Sequence, residues 1–424
     1  MTIKEDLLHY VWRTKRFDLL DLQSTEGEAI EILDFGTHNK HAGPDFFNAK
    51  IRIGTTIWAG NVEMHVLASD WMRHRHNRDR AYDNVILHVV LEEDQPILNA
   101  DQARIPCLEL RRRIPLKIAN NYQKLQRNEY WIPCEHHFYT ANELTKRMWL
   151  DRMLVERLEQ KTKLVALELS KNQNDWEETF YWFLAKNFGL KVNAEPFENL
   201  AKSLPLKILN KHKSQLFQLE ALLFGQAGLL EKDFEETYPN QLKKEYTFLR
   251  HKHRLQPISA VSWKFMRLRP ANFPSIRIAQ FARLLHQSDH LFSSILEAQQ
   301  LTEVEALFKV ALSDYWHTHY VFDKSSTKRK KSLGKSTIRL IIINTIVPFL
   351  FHYGTVRDLK VQREKALLFL DQLPPEKNNI ISSWERLGIT PESAYDTQAL
   401  LQLKNVYCSE PKCLDCAIGD QILS

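Results

Sequence analysis

The period of the apolar residues changes once along this chain, near residue 115, and that change limits the fold more than any other feature. Before it lie short strand-like segments at 29–33, 46–53, 57–66, 85–91 and 105–110. They are preceded by Leu7, Leu8, Val11 and Trp12, a stripe that predicts a helix over 4–20. The stretch 69–84, polar and rich in Arg and His, predicts a short helix with a loop. The order helix, three strands, short helix or loop, strand describes an α/β layer with a mixed sheet flanked by helices. After residue 115 the apolar spacing becomes three and four, which predicts helices over 142–170, 176–189, 198–230, 276–322, 336–351, 357–371 and 378–387. The expectation is an α/β domain over 1–115, followed by a predominantly helical region over 116–424 that ends in a cysteine cluster.

Composition agrees with this division. A chain of 424 residues with 44% hydrophobic and 26% charged side chains is neither disordered nor fibrous. Only 12 glycines fit a chain with much helix. A net charge of +6 permits an anionic partner without requiring one. The longest apolar run, 338–351, contains Arg339, Asn344 and Pro348 and falls short of a membrane span, so a buried helix and no membrane contact are expected. The first residues carry acids and lack a secretory apolar stretch. Three of the five cysteines lie in the last seventeen residues, a usage that suits a reduced, cytoplasmic protein better than a disulfide framework. The sequence GKST at 334–337 resembles the end of a phosphate-binding loop, but Arg329 stands where the first glycine is needed, and that reading is rejected.

The chemistry concentrates in the first third. Pro44-Asp45 opens one strand, and Glu63-Met64-His65 lies on the next. Glu63 and His65, two residues apart, share one face of that strand, and Val62, Met64 and Val66 share the other. If Gly54-Thr55-Thr56 forms the hairpin loop, cross-strand partners sum to 110: Asp45 faces His65, and Glu63 becomes its diagonal neighbour. A two-residue loop would slip the register by one and break the grouping. Two converging carboxylates suit Mg²⁺ or Mn²⁺, which polarises a phosphoryl oxygen and activates water, with His65 beside it to handle that water. The alternative is a turn aspartate next to a solvated sheet face. Nine of the 17 histidines fall in the first 137 residues, and His38, His41, His65, His74 and His76 flank the proposed site. Arg73, His74, His76 and Arg78 read as a phosphate-contacting or metal-adjacent segment, or as a solvated basic loop. Trp58 and Trp71 are expected in the core more than on a base-stacking surface.

This element order, with Pro-Asp on the second strand and Glu-x-basic on the third, resembles the PD-(D/E)XK nuclease superfamily over residues 5–110. The resemblance implies a restriction-endonuclease-like fold with metal on Asp45 and Glu63. His65 stands where the superfamily has lysine, and Glu5 is the candidate acid from the first helix. The whole chain also resembles an uncharacterised family of Bacteroidota proteins, on the blocks 42–49, 58–63 and 81–88 and the cysteine-bearing C-terminus.

Cys408, Cys413 and Cys416 have the spacing C-x4-C-x2-C, tight enough for three thiolates to meet one ion, with Cys134 as the first choice for a fourth ligand and His136 or His137 as further candidates. Zinc or an iron–sulfur cluster in a structural role is one reading; reduced free thiols are the other. Some nucleases of the same superfamily carry a similar iron–sulfur staple. Between 241 and 269, basic residues alternate with Tyr246, Phe248, Trp263 and Phe265, either as a single-strand surface or as a helix whose aromatics turn inward. Lys328 to Lys331 predicts a solvated loop. The histidines of Asp314 to His319 would point apart on a helix. These readings lead to a metal-dependent nuclease hydrolysing DNA or RNA. The alternative is a non-catalytic nucleic-acid-binding or scaffold protein on a degenerate nuclease core.

Overall fold

A computed structural model describes residues 3–127 and 129–423. The chain forms two compact units, one of residues 1–152 with 401–424 and the other of residues 153–400. The division falls at 152 rather than 115, and the cysteine-bearing tail belongs to the first unit rather than to the helical region.

The first unit opens with α1 (Glu5–Thr14), which buries Leu7, Leu8, Val11 and Trp12. It stops short of the predicted residue 20 because Lys15 turns left-handed, with φ 56°, and its N–H closes the last turn. The strands follow as β1 (Ile30–Asp34), β2 (Thr37–His38), β3 (Phe46–Ile53) and β4 (Thr56–Leu67). Next come α2 (Asp70–Arg73), β5 (Val85–Glu92) and β6 (Cys107–Glu109), then α3 (Leu116–Gln126) and α4 (Glu143–Lys171). The sheet runs β1-β3-β4-β5-β6, with β2 on the edge of β3. Pairings among β1, β3 and β4 are antiparallel, and β5 and β6 continue parallel to β4. The parallel step needs a crossover, which α2 and the 3-10 turns His76–Arg78 and Arg80–Tyr82 supply. One cluster of the core gathers Trp71, Val90, Ile97, Ile105 and Cys107; Trp71 is buried as expected, whereas Trp58 stays half-exposed.

The hairpin register differs from the expected one in an instructive way. Ile53 pairs with Thr56, so the loop has two residues, Gly54 and Thr55, and partners sum to 109 rather than 110. Unaltered, that register would set Asp45 opposite Met64, on the wrong face. A bulge between Phe46 and Ala49, with Asn48 at φ 58°, inserts one further residue, and Phe46 pairs with Val62. The two slips restore the parity, and Asp45 comes level with Glu63 instead of His65.

The tail docks by polar contacts at both ends of its final helix, Ala417–Leu423. Asp420 accepts from Tyr10 at 2.9 Å and pairs with Arg16 at 3.0 Å, and Asn121 donates to the Ile422 carbonyl at 2.9 Å.

The second unit is helical, as expected, but more finely divided. The predicted helix 198–230 is three helices, Ala194–Ser203, Leu206–Lys211 and Leu216–Gln226, with Pro205 at the first break. The predicted 276–322 segment is Pro274–Gln287, Leu291–Glu297, Leu301–Leu307 and Tyr315–Thr318, followed by a small hairpin. Thr237–His253 is a helix that turns Tyr246 inward; its Phe248 is exposed, and Trp263 beyond it is buried. His317 and His319 take separate partners, Asp314 and Glu236. Lys328, Arg329 and Lys330 are exposed, but Lys331 is buried, donating to the carbonyls of Trp316 and His317. The apolar run lies in a helical stretch, Lys335–Val356, long and apolar enough to cross a membrane, and most of its apolar part is buried inside the protein. Its ladder changes to π geometry at Ile342–Ile346, beside Pro348, which has no N–H to give.

Candidate metal centre

Strands β3 and β4 and helix α1 bring the carboxylates together. The Asp45 N–H donates to Glu63 Oε2 at 3.1 Å, and the Met64 N–H donates to Asp45 Oδ2 at 2.9 Å, so each acid is held by the other strand's backbone. His9, one turn along α1 from Glu5, places Nε2 3.1 Å from Asp45 Oδ2. Glu5 lies within electrostatic reach of Asp45 and His74. The structure thus places Asp45, Glu63 and His65 in one cluster and adds His9, which sequence reasoning missed.

Two histidines, His65 and His76, approach Glu63, and two more, His74 and His88, approach His65. His65 Nε2 is 3.6 Å from Glu63 Oε1 and 3.2 Å from His74 Nδ1, and its Nδ1 meets His88 Nε2 at 2.9 Å. His76 Nε2 is 3.1 Å from the same Glu63 oxygen, and its ring stacks on Tyr82 at 3.8 Å. The ligand atoms of His65, His74 and His76 all lie within 4.8 Å of one another. The segment 73–80 therefore divides by residue type: His74 and His76 turn toward the acids, while Arg73, Arg75, Arg78 and Arg80 stay exposed. His88 was also missed; its signal was a lone imidazole inside the otherwise apolar strand Val85-Ile86-Leu87-His88-Val89-Val90.

This is not a solvated sheet face. Glu63 is 4% exposed, and His65 and His88 are each 1% exposed. Burial, joined by the charge of Asp45, pushes the Glu63 carboxyl up to about 9. Burial and the neighbouring imidazoles push His65 down to about 2, so it stays neutral at ordinary pH and offers lone pairs rather than protons. His88 is pushed down to about 4, chiefly by burial. For His9, burial opposes the charged form, but the Asp45 hydrogen bond and charge together outweigh it and raise the imidazole. His9 is thus the side chain set against Asp45.

The C-terminal cysteines and Cys134 lie within electrostatic reach of one another. Cys134, Cys408, Cys413 and Cys416 are all buried and reduced. Burial raises each thiol, and Cys134 feels Cys413 and Cys416, while Cys408 feels the other three. Cys416 precedes the final helix and lies against the N–H groups of Ile418 and Gly419, which favour its thiolate. Four buried thiols are the donor type that zinc or an iron–sulfur cluster takes.

A family model described as "Protein of unknown function (DUF2851)" matches residues 5–379. The chain belongs to that family. The DUF2851 match takes in Glu5, His9, Asp45, Glu63, the histidines through His88, and Cys134, and it ends before Cys408. No curated protein and no solved structure matches the chain.

Proposed function

We propose that this DUF2851 protein is a metal-dependent nuclease, hydrolysing phosphodiester bonds of DNA or RNA. The observation that carries the reading is the buried meeting of Asp45 and Glu63 beside neutral His65, at the edge of an exposed arginine segment. A divalent ion on the two carboxylates would polarise the phosphoryl oxygen and lower the pKa of a bound water. The carboxylates by themselves would select Mg²⁺ or Mn²⁺. His65, with its lone pair free of a proton, would serve the ion or its water. Arg73, Arg75, Arg78 and Arg80 would contact the phosphate backbone without reading bases.

The fold supports the PD-(D/E)XK resemblance in kind. A helix precedes three antiparallel strands, and a short helix leads to a strand parallel to the third. Asp45 sits at the start of the second long strand and Glu63 on the third. These positions support the reading. The four cysteines would hold zinc or an iron–sulfur cluster in a structural role, fastening the tail to the α/β unit.

Incubation of the full chain with single- and double-stranded DNA and RNA, with Mg²⁺, Mn²⁺ or EDTA, tests the reading. Cleavage that requires metal and disappears in both Asp45→Ala and Glu63→Ala supports it. Salt-sensitive binding without cleavage, unchanged in both variants, would replace it with a non-catalytic nucleic-acid-binding protein.

A further inference from the structure

We infer that Glu63, His65, His74 and His76 form a binding site for one transition-metal ion of the zinc class. This rests on the reading above but moves the ion from the Asp45–Glu63 pair to Glu63 and the histidines, and it changes His65 from a group that handles water to a ligand.

The argument is geometric. Zinc bonds imidazole nitrogen at about 2.0–2.1 Å and carboxylate oxygen at a similar length, so the edges of a tetrahedral site measure about 3.3 Å. The three ligand-to-ligand distances given above are 3.2 Å for His65 Nε2 to His74 Nδ1, 3.6 Å for His65 Nε2 to Glu63 Oε1, and 3.1 Å for His76 Nε2 to Glu63 Oε1. Each of these three edges is within a few tenths of an ångström of the tetrahedral value; the three histidines form the group whose ligand atoms all lie within 4.8 Å of one another, and Glu63 borders it through His65 and His76. His76 Nε2 is buried and, despite its proximity to Glu63, makes no hydrogen bond. With no proton between them, an imidazole lone pair and a carboxylate oxygen at that separation repel; a cation between them makes both favourable.

Supporting contacts fit the assignment. Glu63 Oε2 is occupied by the Asp45 N–H, which leaves Oε1 as the oxygen that faces the histidines. For His65 to ligate through Nε2, its Nδ1 must carry the proton and donate to His88 Nε2, which lies 2.9 Å away. Three nitrogens and one oxygen are a poor set for Mg²⁺, which keeps oxygen ligands and water, and a good set for zinc and its neighbours in the transition series.

The test uses the full chain without a polyhistidine tag, stripped of metal and titrated with Co²⁺ and then Zn²⁺. The expected result is one cobalt equivalent with the visible absorption of a tetrahedral nitrogen–oxygen site, displaced by Zn²⁺ and insensitive to millimolar Mg²⁺. Cobalt on the cysteines is distinguished by its thiolate charge-transfer band in the near ultraviolet. His74 is exposed, so His74→Ala keeps the fold while removing a ligand; its affinity should fall by about a hundredfold or more. Loss of the support in His88→Leu should cost about 10–100-fold. Cobalt binding outside the thiolate band that is equal in wild type, His74→Ala and Glu63→Gln would overturn the site, as would its absence from wild type. If the cobalt signature follows these variants but no ion supports cleavage, the site stands and the nuclease reading fails. If Mg²⁺ alone supports Asp45-dependent cleavage and the cobalt signature is missing, the nuclease reading stands and this site fails.

Discussion

Replacing Glu63 by glutamine should stabilise the metal-free protein at neutral pH, and the size of the gain follows from the burial of the carboxyl. The ordinary value of 4.5 is raised to about 9, first by burial and then by Asp45. Above pH 4.5 the unfolded chain releases a proton that the folded protein keeps. A group raised in this way contributes stability that is full below its unfolded pKa and is lost as the pH climbs toward the folded one. At about 1.4 kcal/mol per pH unit, the loss between pH 4.5 and pH 7 is on the order of 3 kcal/mol. Glutamine has no proton to lose, yet keeps an oxygen for the Asp45 N–H. In EDTA, wild type and Glu63→Gln should be nearly equal at pH 5, and the variant should lead by up to about 3 kcal/mol at pH 7, with a larger gap toward pH 9. Hydrogen–deuterium exchange of the β4 peptide, compared between the proteins at equal pH so that intrinsic rates cancel, reads this directly as up to about a hundredfold more protection. Added Zn²⁺ should narrow or reverse the order, since an ion held by the ionised carboxylate stabilises wild type by about 2.7 kcal/mol at a hundred times its Kd. A difference that does not vary with pH, or a variant less stable than wild type at pH 7 in EDTA, would refute the reasoning.

Three further outcomes are expected. Gly60→Ala would put a Cβ 2.4 Å from Ile86 Cγ2 and 2.6 Å from the Asn84 carbonyl oxygen; a loss of about 1–3 kcal/mol in urea denaturation is expected, and an unchanged midpoint would show that the neighbouring chain can shift freely. Asn48→Val forces a β-branched residue into left-handed backbone at φ 58° and should cost about 1–2 kcal/mol and weaken metal binding, whereas Asn48→Gly should retain both stability and binding. Cys134→Ser should release bound zinc or iron, measured by elemental analysis, and expose residues 401–424 to limited proteolysis, whereas a tail that stays protected with its metal content unchanged would separate Cys134 from the cluster.

The strands were legible because their alternation is strong: Val62 and Met64 are core residues, and Glu63 and His65 face the other way. The grouping of Asp45 with Glu63 and His65 rests on an incorrect register with Asp45 opposite His65, since the predicted three-residue loop is a two-residue loop followed by a bulge. Period-two patterns carry parity but not register, and two single slips that cancel leave no trace in them. A left-handed asparagine is the only local sign, and asparagine is common elsewhere. Helix breaks in the second unit were missed at turns where the apolar spacing continues across the break. The return of the tail to the first unit depends on contacts such as Asp420 with Tyr10 and Arg16, which no local pattern announces.

The burial of the site decides between its two readings more firmly than its motif does. A solvated sheet face leaves Glu and His in water, where neither needs a partner. Here Asp45 has His9 set against it. The contacts of Glu63 among the described residues are a backbone N–H and two imidazoles that burial keeps neutral. Without an added cation, its carboxyl must hold a proton well above the ordinary range, at a cost to stability that a solvated glutamate would avoid. A structural core would be better served by an apolar residue at that position. An ion shared by Glu63 and the neighbouring imidazoles would remove the cost, satisfy the unbonded His76 nitrogen, and leave Asp45, level with Glu63 on the neighbouring strand, to act on whatever the ion binds.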